Sequence, residues 1–98
     1  MNEFDDIIKS AKPTLVDFFA TWCGPCRVQG PILDQVKNTV GDNATIIKVD
    51  IDRNSEVAER YRVQSVPTLI VFKNGEPVWR AVGVQQADVL VDKLKEHF

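Results

Sequence analysis

Trp22-Cys23-Gly24-Pro25-Cys26 holds the only two cysteines of the chain, and it begins two residues after an apolar run, Leu15-Val16-Asp17-Phe18-Phe19-Ala20, that reads as a buried strand. A Cys-x-x-Cys pair opening a helix after a strand can close into a disulfide. The helix's unpaired N–H groups and dipole stabilise a thiolate on the first sulfur, and the thiolate is the nucleophile of thiol–disulfide exchange. Dithiol redox chemistry is therefore the leading expectation.

Other uses of the pair fit less well. A zinc site needs four ligands, and beyond the two sulfurs the chain offers only His97 close to its C-terminal end. A structural disulfide closing so short a loop gains about 2 kcal/mol, against nearly 5 for a hundred-residue loop. Two inert buried thiols are the remaining alternative. Gly24 and Pro25 argue against it, because they suit a tight turn into a helix and leave the first sulfur near the surface.

The elements that must carry this pair fit within 98 residues, enough for one domain (1–98) with one core. A net charge of −2 with interspersed signs gives no electrostatic footprint for nucleic acid or an anionic membrane. No apolar stretch reaches the length of a membrane span. The start, Met1-Asn2-Glu3-Phe4-Asp5-Asp6, is acidic and lacks a basic-then-apolar leader, so the default expectation is a reducing intracellular compartment, the cytoplasm; a processed mature form reads the same way.

Phe4, Ile7, Ile8 and Ala11 recur at helical spacing and predict a first helix ended by Pro13. Residues 14–20 are apolar on both faces, as expected of a strand covered by helices on both sides. A long helix follows from about Gly24 to Val40, with Gly41 in a C-cap position. Residues 44–50 predict a second strand, and Asn54 or Ser55 can cap a short helix reaching Arg62. Thr68 to Lys73 is the third strand, and Asn74-Gly75 directly after it is the strongest short hairpin signal, returning the chain as Pro77 to Val82. Ala87, Leu90, Val91, Leu94 and Phe98 form the stripe of a last helix, with His97 as a frayed terminal residue and Trp79 as packing on the hairpin. The order α-β-α-β-α-β-β-α predicts an α/β fold whose mixed sheet of four strands, parallel on one side and finished by a hairpin, has helices on both faces.

In these positions the chain resembles the thioredoxin family. The resemblance rests on Asp17, Trp22 through Cys26, Pro31, Lys48, Val66-Pro67-Thr68, Phe72-Lys73-Asn74-Gly75 and Gly83, which lie in register over most of the chain. It implies a thioredoxin-like three-layer sandwich and a protein-disulfide reductase in which the dithiol itself carries electrons, with no organic cofactor and no metal. Cys23 would attack a substrate disulfide to give a mixed disulfide, and Cys26 would resolve it. Gly-Pro between the cysteines resembles the reducing members of the superfamily. The partners implied are disulfide-containing proteins and an upstream reductase such as thioredoxin reductase.

Each supporting residue also has its own physical reading. Asp17 sits among apolar residues, where a carboxylate is costly to ionise; its alternative is a wetter strand face, and the resemblance assigns it deprotonation of Cys26. Lys48 by itself reads as a surface lysine, whereas the resemblance places it near Asp17 as a tuner of that carboxylate. Cis bonds occur at only about 5% of X-Pro positions, but similarity to the family's cis-proline loop places Val66 and Pro67 beside Cys23, where backbone can pair with an extended substrate. Trp22 by itself reads either as a core aromatic or as part of an exposed rim; the resemblance places it on the rim that substrate touches and implies that Gly24, Pro25 and Gly83 are substrate-binding as well.

The departures from the family pattern are Phe19 in place of a usual tryptophan, Arg27 in place of a usual lysine, and Val28-Gln29-Gly30-Pro31, where a helical glycine costs about 1 kcal/mol but eases the crowding before proline. The family's first strand has no counterpart, which predicts an open sheet edge at residues 44–50 and a monomer that tolerates it. The competing reading is a thioredoxin-fold binding module or subunit whose dithiol is dispensable.

Overall fold

Leu15, Val16 and Phe18 are all fully buried although neighbours along a strand face opposite ways, which requires cover on both sides of the sheet. The computed structural model, which describes residues 3–98, shows that cover. Residues 1 and 2 of the acidic start lie outside the described residues. In chain order the elements are α1 (Glu3–Ile8), β1 (Thr14–Phe19), α2 (Gly24–Val40), a single 3-10 turn (Gly41–Asn43), β2 (Thr45–Asp50), α3 (Ser55–Arg60), β3 (Thr68–Lys73), β4 (Glu76–Val82) and α4 (Ala87–Lys95). The four strands run in the order β2-β1-β3-β4, with β1 parallel to β2 and antiparallel to β3.

Strand alternation divides the core in two. Val16, Phe18, Val49, Ile70 and Phe72 pack with Phe4 and Ile8 of α1 and Val57 and Ala58 of α3. There the Phe4 ring meets Phe72 edge-on at 5.7 Å. Leu15, Leu69 and Val71 face the other way, against Leu33 and Val36 of α2 and Leu90 and Leu94 of α4, with Trp79 packed on this cluster as expected. The result is a three-layer sandwich with the four-stranded mixed sheet at its centre.

Asn74 and Gly75 both adopt positive φ, 54° and 84°, as the two-residue hairpin signal requires. Their N–H groups donate to the carbonyls of Ser10 (3.0 Å) and Ile8 (2.8 Å). This explains why α1 ends at Ile8 instead of running to Pro13, since the chain leaves the helix to meet the turn and Ala11 is exposed. Two other boundaries differ from expectation, and Asn54 takes the N-cap position of α3 without the side-chain bond. Asn54 Nδ2 donates back to the Asp50 carbonyl at 3.1 Å, so the side chain does not cap α3. That helix stops at Arg60; Arg62 turns left-handed at φ 54°, and the carbonyls of Tyr61 and Arg62 accept from the Arg80 guanidinium. α4 stops at Lys95, leaving Phe98 50% exposed, while His97 is tied down through its carbonyl, which accepts from Lys73 Nζ at 2.7 Å.

Candidate active site

β1 delivers the chain from the middle of the sheet directly to the N-terminus of α2. Cys23 is the N-cap residue, with extended backbone (φ −93°, ψ 113°), and the N–H of Cys26 donates to its Sγ at 3.2 Å. A sulfur in the cap position thus receives a backbone donor that the first turn of any helix leaves without an internal partner. Pro25 occupies the first turn, where its missing N–H costs nothing. Cys23 and Cys26 are joined as a disulfide with their Cα atoms 5.4 Å apart.

Two loops from elsewhere in the chain close on this turn. Val66-Pro67 has a cis peptide bond, and the Val66 carbonyl oxygen lies 3.5 Å from Cys23 Sγ. Gly83 follows β4 with φ 90°, and its N–H donates to the Pro67 carbonyl at 2.8 Å. Trp22 is 69% exposed on the rim, its indole N–H donating to Asp52 Oδ2 at 2.9 Å. Gly24 and Pro25 are exposed beside it. As a residue Cys23 is only 5% exposed, the same as Cys26, so in the disulfide state both cysteines are buried at the mouth of the helix. Cys23 is drawn inward against the Val66 loop, beneath exposed neighbours.

Asp17 lies deeper, on the α2-facing side of β1 shared with Leu15. It is fully buried and neither carboxylate oxygen has a hydrogen-bond partner. Burial raises its pKa to about 6, against a smaller opposing pull from the positive charge of Lys48. Lys48 stands opposite Asp17 in the β1–β2 register, as the resemblance implies, but its side chain is exposed and its Nζ sits 4.7 Å from the centre of the Phe19 ring. The coupling is therefore through space, without a salt bridge.

Two features were not anticipated from the sequence. Asp52, which fixes the Trp22 indole, lies thirty residues away and carries no local signal. Gln29 is fully buried and pairs with the backbone of Gln85, donating from Nε2 to its carbonyl at 3.0 Å and accepting from its N–H at 2.8 Å. Its signal was present: Cys26, Gln29, Leu33, Val36 and Val40 form the buried stripe of α2, and an amide in an apolar stripe needs buried partners.

Comparison with known proteins agrees with this geometry. A family model described as thioredoxin matches residues 1–96. A thioredoxin-like protein of Synechocystis sp. is 49% identical over 86 residues, 88% of this chain and 82% of the relative. The thioredoxin of Staphylococcus epidermidis is 46% identical over 96 residues, 98% of this chain and 91% of the relative. Among solved structures, a mutant thioredoxin from Halobacterium salinarum superposes with a TM-score of 0.89 at 36% identity, covering 99% of this chain and 84% of that one.

Proposed function

Because the chain belongs to the thioredoxin family and is a dithiol–disulfide oxidoreductase, we propose a specific division of labour among the residues gathered at the start of α2. The observation that carries it is the Cys26 N–H directed at Cys23 Sγ, a donor in place for a thiolate on that sulfur. In the reduced protein the Cys23 thiolate attacks one sulfur of a substrate disulfide, forming a mixed disulfide and expelling the other substrate sulfur as a thiolate. Asp17 takes the proton from the Cys26 thiol. The resulting thiolate attacks Cys23 Sγ, releasing the second substrate thiolate and closing the Cys23–Cys26 disulfide seen here. Two electrons pass to the substrate, and the dithiol is their carrier.

Trp22, Gly24, Pro25, Val66, Pro67 and Gly83 are the substrate-binding residues in this reading. The Val66 loop beside Cys23 offers backbone for pairing with an extended polypeptide around the target disulfide, and Lys48 tunes Asp17. Family membership implies protein disulfides as substrates and a reductase of the thioredoxin-reductase type as the electron source. We further propose that the protein works as a monomer in a reducing intracellular compartment; no helix among the described residues is long and apolar enough to cross a membrane.

The test is Cys26→Ser, which removes the resolving thiol and keeps the attacking one. With insulin as substrate, turnover should cease and a mixed disulfide through Cys23 should accumulate, visible by non-reducing electrophoresis. Continued turnover, or trapping through another atom, overturns the assignment.

A further inference from the structure

Gln29 stands where α2 otherwise buries apolar residues, and its amide makes two hydrogen bonds to a single residue, Gln85. Gln85 in turn reaches back two and three residues, its Nε2 donating to the carbonyl of Gly83 at 3.2 Å and of Val82 at 3.4 Å. The Gly83 N–H donates to the Pro67 carbonyl at 2.8 Å, and the carbonyl of Val66, one residue earlier, lies 3.5 Å from Cys23 Sγ. Cys23 caps the same helix that carries Gln29. The connections form a closed circuit, from α2 through Gln29 to the segment after β4, on to the cis-proline loop, and back to the cap of α2.

We propose that Gln29 is a positioning residue for polypeptide substrates, holding Gly83 and the Val66-Pro67 loop at the distance from Cys23 that an extended chain needs. The proposal rests on the reading that Val66, Pro67 and Gly83 contact the substrate. The segment from Gly83 to Gln86 belongs to neither a strand nor a helix, so no ladder of backbone bonds holds it in place. A buried amide satisfied at both ends supplies that missing register. An apolar side chain of the same length in its place leaves Gln85 to find water, and the segment loses its anchor on α2.

A loss of this kind separates docking from sulfur chemistry. A small disulfide meets the cysteines without lying across both loops, whereas a polypeptide must bridge them. Gln29→Met keeps the buried volume and removes both bonds; Gln29→Leu serves the same purpose with a stiffer side chain. The full chain and both variants are compared by kcat and KM for insulin, by the rate with dithiobisnitrobenzoate, and by amide hydrogen exchange at Gly83 and Gln85. Gly83→Asp is the reference for docking itself: a Cβ there meets nothing within 4 Å, but φ of 90° strains any residue with a side chain, so the variant both adds a charged group and displaces the loop, and its small-disulfide rate and thermal unfolding verify that the sulfur chemistry and the fold survive.

The expected result is a rise of about fivefold or more in the KM for insulin in both Gln29 variants, the scale of one lost hydrogen bond, with kcat and the small-disulfide rate held within about twofold. Exchange at Gln85 and Gly83 should quicken together. If Gly83→Asp raises the KM and the folded Gln29 variants do not, the clamp is overturned and the docking reading stands. If Gly83→Asp also leaves the KM unchanged, the docking reading falls and the proposal falls with it. Parallel losses with insulin and the small disulfide assign Gln29 to the sulfur chemistry or to folding, and overturn the proposal too.

Discussion

Asp17 combines complete burial with two carboxylate oxygens that have no partner, and its behaviour with pH follows from that. With a folded pKa raised to about 6 from an ordinary 3.8, the folded protein holds this proton more tightly than the unfolded chain does. Stability from this group is therefore complete below about pH 4 and declines as pH rises through 6, by about 3 kcal/mol in total, before levelling off. Asp17→Asn removes the decline. The variant should be more stable than the parent by about 1–2 kcal/mol at pH 8, part of the gain being offset by the cost of an unpaired amide, and the difference should reverse to a deficit of about 1 kcal/mol near pH 4. Urea midpoints at the two pH values check the sign, and equal midpoint differences at both pH values would show that Asp17 does not titrate in this way. The same change should slow resolution of the mixed disulfide by about tenfold or more, because Cys26 loses its proton acceptor.

α2 carries both ends of the site's architecture, with the sulfurs at its N-terminus and Gln29 one turn later. It runs without interruption through Pro31. Gly30, just before that proline, lacks positive φ, and a Cβ built there meets nothing within 4 Å. Neither backbone conformation nor packing against neighbours outside the helix requires a glycine. Gly30→Ala should therefore stabilise the protein by about 0.5–1 kcal/mol, through the lower conformational entropy of the unfolded chain, with insulin reduction unaltered. Thermal unfolding at pH 7 reads this directly. A lower Tm would show that crowding against Pro31 outweighs the entropy term.

At the scale of the whole molecule, the sheet order leaves β2 at an edge. The N–H groups of Thr45 and Ile51 bond to the carbonyls of Pro13 and Phe19, so those of odd-numbered residues face β1. Those of Ile46, Lys48 and Asp50 consequently point away from the sheet. Open grooves flank this edge on both faces, one lined by Ile47, Val49 and Phe4, the other by Ile46, Leu33 and Pro31. Exposed Lys48 and the carboxylates of Asp50 and Asp52 put charge along the edge, which opposes pairing with a second copy. The expected outcome is a monomer by sedimentation across a wide concentration range under reducing conditions, with full activity. A reversible dimer abolished by Ile46→Pro, which removes an outward N–H while sparing the ladder to β1, would show instead that the edge is used for self-association.

Much of this was legible in the sequence because it depends on local chemistry. Cys23 and Cys26 at the mouth of a helix, the apolar run of residues 14–20, the Asn74-Gly75 turn and the limits of α2 each follow from near-neighbour sterics, periodicity or capping. Resemblance to a family then located the cis bond before Pro67 and the register of Lys48 with Asp17. What required tertiary structure were the contacts between residues far apart in sequence. The hairpin turn drawing the carbonyls of Ile8 and Ser10 out of a helix, Asp52 fixing Trp22, and Lys73 holding the carbonyl of His97 all join segments whose separation leaves no trace in local pattern. Gln29 lies between these cases. Its polarity in an apolar stripe announced that a partner must exist, because a buried amide without one is costly, but only the packing of α2 against the segment after β4 decided that the partner is the backbone of Gln85.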